Sequence, residues 1–357
     1  MLTKIVIYHI LFNQSAEYQS AVTMAAMPEN TELQCYLNLD PQKILEAIES
    51  KGFNCDGRIF ALNSYENRVY QVGIEGADPV VAKFYRPGRW SDEQILEEHR
   101  FTGELSEHEI PVITPLVQEN ATLFSHDHFR FALYPRQGGR PPELDSPDHL
   151  TQLGRYIGRI HSVGQSGSFA YRPDISINEF ADASRQYLLE NDFIPLELKE
   201  SYSTLCDDII KRIQQCYERA GNISNIRLHG DCHAGNILWR DETPFILDFD
   251  DARTGPAIQD LWMFLSGDRP YMTSRLADLL EGYTEFCDFD ARELHLLEAL
   301  RSLRMMYFSS WIARRWEDPA FPLAFPYFNT QHYWQDQILS LREQAALMDE
   351  GPLEWVR

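Results

Sequence analysis

The residues of this 357-residue chain best equipped for chemistry lie in one short run, His229-Gly230-Asp231-Cys232-His233-Ala234-Gly235-Asn236, followed twelve residues later by Asp248-Phe249-Asp250-Asp251. Between them, Ile237-Leu-Trp-Arg and Pro244-Phe-Ile-Leu predict a strand, a turn and a second strand. A carboxylate, an amide and a second acidic cluster in so short a span suit metal-assisted phosphoryl transfer. That reaction needs little covalent help from the protein: one carboxylate orients the attacking hydroxyl, and an amide with a carboxylate holds magnesium against the phosphates. On this reading Asp231 orients the acceptor, while Asn236 and Asp248, with Asp250 beside it, hold the metal.

His229, Asp231 and His233 also admit a different chemistry, because His and Asp spaced by two resemble the metal clusters of hydrolases, where a bound ion activates water. Such a site needs further ligands, and His161, His295 and His332 all fall in segments that read as helix. A hydrolase would hold a transition metal tightly. A non-catalytic nucleotide-binding module is a third reading, which the full set of catalytic residue types disfavours.

Phosphoryl transfer also needs a cation on the phosphates. In the predicted strand 79–85, Val81, Lys83 and Tyr85 share one face while Val80, Ala82 and Phe84 share the other. In the predicted helix 92–105, Glu98 falls in line with Ile95, Thr102 and Leu105. Lys83 is therefore the expected phosphate contact for ATP, with Glu98 as its partner and Glu97 as the alternative. A solvated strand lysine and a solvated glutamate are the plainer readings of each taken alone.

The bulk composition sets limits on partners. With 32 basic and 54 acidic residues the net charge is −22, which repels nucleic acid and anionic membranes. Any nucleotide site must then supply its own cations. The six cysteines form no CxxC pair or dense framework and read as free thiols of a cytoplasmic protein. The run Ile5-Val-Ile-Tyr-His-Ile-Leu-Phe is too short to span a bilayer, so residues 1–30 read as a poorly ordered extension, with Met24 and Met27 as alternative starts.

Two units are expected from the length and from a change in composition. Residues 31–134 hold a helix opened by Asp40-Pro41, strands at 58–63, 68–74 and 79–85, the helix at 92–105, and strands at 121–125 and 128–134. The Gly/Pro-rich stretch 135–142 reads as a hinge. Residues 143–357 are predominantly helical, with helices expected from 148, over 198–220, and at 258–265, 273–287, 291–316 and 332–347. The proline-rich aromatic stretch 316–328 is expected to be loop, and His161 a packed histidine at a helix end.

Taken together, His-Gly-Asp-x-His-x-x-Asn, Asp248-Phe-Asp and Gly255-Pro-Ala-Ile-Gln-Asp260-Leu resemble the signature of the aminoglycoside phosphotransferase (APH) family, which includes choline and homoserine kinases. Leu62-Asn-Ser-Tyr-Glu-Asn-Arg-Val-Tyr-Gln, Lys83-Phe-Tyr-Arg-Pro and Arg314-Arg-Trp-Glu-Asp-Pro-Ala-Phe-Pro are similar to a bacterial stress-response branch of it. The similarity spans roughly residues 40 to 345. It implies an α+β, two-lobed protein-kinase-like fold, with a small antiparallel β N-lobe and a large helical C-lobe. It also implies adenine contacts near Tyr134 to Gln137 and ATP-dependent phosphorylation of protein Ser or Thr. A small hydroxylated acceptor is the alternative, and a monomer is expected. No Gly-rich loop joins the first strands, so Asn63-Ser64-Tyr-Glu-Asn-Arg must meet the phosphates through backbone N–H groups and the Ser64 hydroxyl. Asp248-Phe-Asp leads into no long activation segment, so switching by loop phosphorylation is not expected. Asp260, His229 and His233 read as braces for the catalytic loop.

Overall fold

The computed structural model describes residues 36–355, so the expectations placed on residues 1–30 lie outside the described residues. Helix α1 (Pro41–Glu49) begins where the Asp40 carboxylate accepts the Lys43 N–H at 3.0 Å, with proline in the first turn. Three antiparallel strands follow: β1 (Cys55–Leu62), β2 (Arg68–Ile74) and β3 (Ala77–Phe84). After helix α2 (Asp92–Glu107) come β4 (Phe124–His126) and β5 (Phe129–Pro135), giving a sheet of order β1-β2-β3-β5-β4. The β4 strand is shorter than expected.

The alternation in β3 works as its sequence implies. Val80, Ala82 and Phe84 pack with Ile44, Ile48, Phe129 and Phe131 in the core under α1. Lys83 turns to the other face, between Val69 of β2 and Ala132 of β5. Helix α2 covers that second face. It opens with a Ser91–Gln94 capping box and buries Ile95, Glu98, Thr102 and Leu105.

The connector expected as a hinge touches the hairpin of the helical part. Arg140 and Trp239 exchange backbone hydrogen bonds at 2.9 and 2.6 Å, and a Cβ at Gly139 would lie 2.8 Å from the Leu238 Cβ. The second half of this stretch is thus paired with the strand that follows the catalytic loop.

The helical part is built on α3 (Pro147–Gln165), α4 (Ala183–Glu190), α5 (Leu196–Ala220), α6 (Arg269–Tyr283), α7 (Leu297–Ala313), α8 (Ala320–Ala324) and α9 (Gln331–Leu347). Short strands β6 (Ile226–Leu228) and β9 (Arg253–Gly255) pair with each other, as do β7 (Ile237–Arg240) and β8 (Thr243–Ile246). Two expectations fail here. Residues 258–265 form two 3₁₀ turns rather than a helix, because the Glu293 carboxylate takes the Ile258 N–H and Asp260 is turned beneath the catalytic loop. The proline-rich linker contains α8, and Pro322 is tolerated because first-turn N–H groups have no intrahelical partner. A π turn at Asn178–Asp182, leading into α4, had no counterpart in the sequence reading. No helix among the described residues is long and apolar enough to cross a membrane.

Helices α3 and α6 approach closely through glycines. A Cβ on Gly154 would lie 1.9 Å from the Leu279 carbonyl oxygen. Gly154→Ala is therefore expected to destabilise the protein by about 1–3 kcal/mol, the usual range for overpacking. Gly103→Ala in α2 meets nothing within 4 Å and is expected to be neutral or stabilising. Thermal unfolding of both variants measures the contrast.

Candidate active site

The twelve-residue spacing from Asn236 to Asp248 is the length of a hairpin. Pairing of Ile237 with Ile246 brings both ends together, and Leu247 donates its N–H to the Asn236 carbonyl at 2.9 Å. Asp248 follows in the left-handed region (φ 58, ψ 66), which turns its side chain away from the strand direction.

The catalytic loop leaves β6 and crosses Asp251 at close range. Gly230 has φ 84, and a Cβ there would lie 2.1 Å from the Asp251 carbonyl oxygen, so only glycine fits. Beneath the loop the Asp260 carboxylate accepts the N–H groups of His229 and Gly230, each at 2.8 Å, and the His161 Nε2–H at 3.1 Å. Tyr283 completes the chain, its hydroxyl 2.9 Å from His161 Nδ1. His229 donates from Nε2 to the Leu247 carbonyl at 2.7 Å and accepts the Asp231 N–H at Nδ1. Both ring nitrogens of His229 are therefore engaged by backbone, and it is not placed to ligate an ion. Among the described residues, no three His, Cys, Asp or Glu side chains gather as a metal cluster. The hydrolase reading thus lacks its ligand set.

Asp231 emerges from this braced loop into the cleft. Its Oδ1 pairs with Arg304 Nη1 of α7 at 2.6 Å, and its Oδ2 faces His233 Nε2 at 3.5 Å. Burial would raise the Asp231 pKa, but Arg304, His233 and His229 overcome it and hold the carboxyl well below the usual range. The Asn236 amide donates to the Asp231 carbonyl at 3.0 Å. Ser64, Asp231, Asn236, Asp248 and Asp250 line one cleft of about 1040 Å³.

Lys83, Glu98, Tyr134 and Gln137 stand outside that lining. The buried Lys83 ammonium lies behind two of the lining acids, 2.9 Å from Asp248 Oδ1 and 3.1 Å from Asp250 Oδ1. Burial pulls its pKa down, yet Asp248, Asp250 and Glu98 raise it well above the ordinary value. This corrects the expected pairing. Glu98 acts on Lys83 as a nearby charge, while its Oε2 lies 3.6 Å from Arg172 Nη2, and burial pushes its carboxyl up to about 7 against Lys83 and Arg172. Glu97 is no alternative partner, because its oxygens accept the backbone N–H groups of Ala170, Tyr171 and Arg172 at 2.6 to 2.8 Å. The Tyr134 hydroxyl turns inward to Tyr85 (3.2 Å) and His99 (3.4 Å), and the Gln137 side chain folds onto the Gly138 carbonyl.

Sequence reasoning missed three groups of consequence. Arg304 holds Asp231, Arg89 pairs with both Asp250 and Asp251, and Asn67 donates to Asp250 Oδ2 at 3.2 Å. Each contact spans more than 70 positions; no local pattern marks out Arg304 or Arg89, and Asn67 lies in the loop already singled out but its reach to Asp250 is not local. The five cysteines within the described residues are unpaired.

Residues 59–297 match the model of the phosphotransferase enzyme family, APH. Stress response kinase A of Salmonella choleraesuis is 43% identical over 319 residues, covering 89% of this chain and 96% of that protein. The serine/threonine protein kinase RdoA of Salmonella typhimurium is similar to the same extent. Among solved structures, amicoumacin kinase hAmiN in complex with AMP-PNP, Ca²⁺ and Ami aligns with a TM-score of 0.69 at 20% identity, covering 91% of this chain and 97% of its own. A microcompartment-associated aminopropanol kinase aligns at 0.62 and 16% identity, over 87% and 97% of the two chains. These likenesses bear on the α+β fold, with its antiparallel N-terminal sheet and helical C-terminal part. The chain belongs to the APH phosphotransferase family and is a kinase that transfers a phosphoryl group to a hydroxyl.

Proposed function

We propose that this kinase uses ATP and magnesium to phosphorylate Ser or Thr hydroxyls of proteins, acting as a cytoplasmic monomer in a bacterial stress response. The observation that carries the chemistry is Asp231, an ionised carboxylate on a doubly braced loop, facing a cleft that the metal-side acids also line. The choice of protein as acceptor rests on the names of the relatives at 43% identity.

Asp231 orients the acceptor hydroxyl and receives its proton. Lys83 contacts the ATP phosphates, with Glu98 as background charge, and the Ser64 hydroxyl with its neighbouring N–H groups covers them. The backbone around Tyr134 and Gln137 meets the adenine. The donor set fits a hard cation: Asp248 and Asp250 offer carboxylate oxygens, Asn236 an amide oxygen, and a cationic group, the Lys83 ammonium, already sits between Asp248 Oδ1 and Asp250 Oδ1. Magnesium held there supplies charge neutralisation for the transferring phosphoryl group.

A second reading is favoured by one observation. The acceptor side of the cleft is walled by Tyr307, Phe308, Trp311, Phe325, Tyr327 and Tyr333, a ring-lined cavity suited to a small hydroxylated molecule. Incubation with γ-labelled ATP, with a general protein substrate or with a panel of small alcohols, separates the two. Label in protein Ser or Thr is the expected result. Transfer only to a small alcohol overturns the protein acceptor and leaves the kinase.

A further inference from the structure

We infer that Glu66 is the positioning residue of the phosphate-side loop, and that it sets this loop from the acceptor wall of the cleft. The inference rests on the reading of residues 63–67 as the loop that meets the nucleotide phosphates.

The loop between β1 and β2 contains no glycine, so it lacks the freedom by which a mobile Gly-rich flap fits itself to phosphates. It is held by bonds instead. The Glu66 carboxylate accepts the Trp311 indole N–H at 2.6 Å and pairs with Arg315 Nη2 at 2.6 Å, both from the α7 region. It also pairs with Arg86 Nε at 3.2 Å and stands 3.8 Å from Arg89 Nη1. The Glu66 carbonyl accepts from the Tyr36 hydroxyl at 3.1 Å and from Arg86 Nε at 3.0 Å. Asn67 Oδ1 takes the Arg86 N–H at 3.1 Å. Arg86 in turn reaches Asp318 at 2.6 Å.

Three parts of the cleft therefore meet at one carboxylate. They are the loop over the phosphates, the Arg86–Arg89 segment that reaches Asp250 and Asp251, and the helix whose Tyr307 and Trp311 wall the acceptor side. A loop fixed in this way binds without the ordering cost that a free loop incurs. Removing the Glu66 charge returns that cost, because the loop is then competent only part of the time.

The fold is expected to survive the change. Arg86 keeps Asp318, Arg89 keeps Asp250 and Asp251, and Arg315 keeps the Trp311 carbonyl at 3.1 Å.

Calorimetric titration with a non-hydrolysable ATP analogue and magnesium tests the inference in wild type, Glu66→Gln and Trp311→Phe. Glu66→Gln is expected to weaken the Kd roughly tenfold, the effect of a loop competent about a tenth of the time. Trp311→Phe keeps a ring and removes one donor, and is expected to weaken it roughly threefold by the same population argument. Stoichiometry stays near one in both. A merely structural role would lower the fraction of binding-competent protein, and hence the stoichiometry, while leaving Kd unchanged. Wild-type Kd in both variants, or a loss confined to stoichiometry, overturns the inference. Should wild type itself not bind the nucleotide, the kinase reading of the loop fails first, which is a separate and recognisable outcome.

Discussion

Asp231→Asn is expected to lower kcat by about 10²- to 10⁴-fold, the contribution usual for a positioned general base. The affinity for ATP is expected to stay at its wild-type value. The substitution keeps the side-chain shape and removes the charge that an acceptor hydroxyl would align against. It leaves Arg304 without its partner, but that guanidinium is 29% exposed and water can take over its hydrogen bonds. The loop itself is held from below by Asp260 and His229, not by the Asp231 carboxylate, so its path should persist. Single-turnover transfer at saturating ATP, together with direct nucleotide titration, separates the two effects. Turnover at the wild-type rate would remove Asp231 from the mechanism.

That division of labour was partly legible in the chain. That Asp231, Asn236 and Asp248 would share one cleft was legible because the loop and hairpin that bring them together are local: β7 and β8 return Asp248 to Asn236. Asp260 could be read as a brace because an acid inside a short apolar segment needs donors, and the loop N–H groups supply them. The faces of β3 and α2 followed from their periods of two and 3.6. What could not be read depends on distant parts of the chain. Arg304 and Arg89 look like ordinary surface charges, and the part Glu66 plays within the loop at residues 63–68 stays hidden, until α7 and the segment after β3 close on the cleft.

The pairing of Lys83 shows why the remainder was misread. Periodicity placed Glu98 on the correct face, and it is buried there. Its neighbour Arg172, however, lies in an irregular segment for which no element was expected, and that guanidinium also donates to the Asp250 carbonyl. Asp248 meets Lys83 from a left-handed backbone, a conformation that an Asp tolerates but does not announce.

This geometry gives Lys83→Met a result with two parts. Met keeps an unbranched stem in the buried site and removes the ammonium. Loss of a preorganised cation from the phosphates is expected to lower kcat/KM for ATP by about 10²- to 10³-fold, the range for removing one electrostatic contact to a reacting group. The second part concerns the metal side. In this structure the same ammonium occupies both Asp248 Oδ1 and Asp250 Oδ1, the oxygens proposed to bind magnesium. Asp250 retains Arg89 and Asn67, so its ionised form remains compensated in the variant. Freed of the competing cation, the two carboxylates are expected to bind magnesium more tightly without nucleotide than they do in wild type, even as ATP turnover collapses. Calorimetric titration with Mg²⁺ alone, beside steady-state kinetics in ATP, reads both parts. Unchanged ATP kinetics would remove Lys83 from the phosphates, and unchanged magnesium affinity would mean that ammonium and metal do not share those oxygens. Opposite movements of the two constants, by contrast, would tie Lys83, Asp248 and Asp250 into one electrostatic unit, in which the nucleotide draws the lysine away from the acids that must then hold its metal.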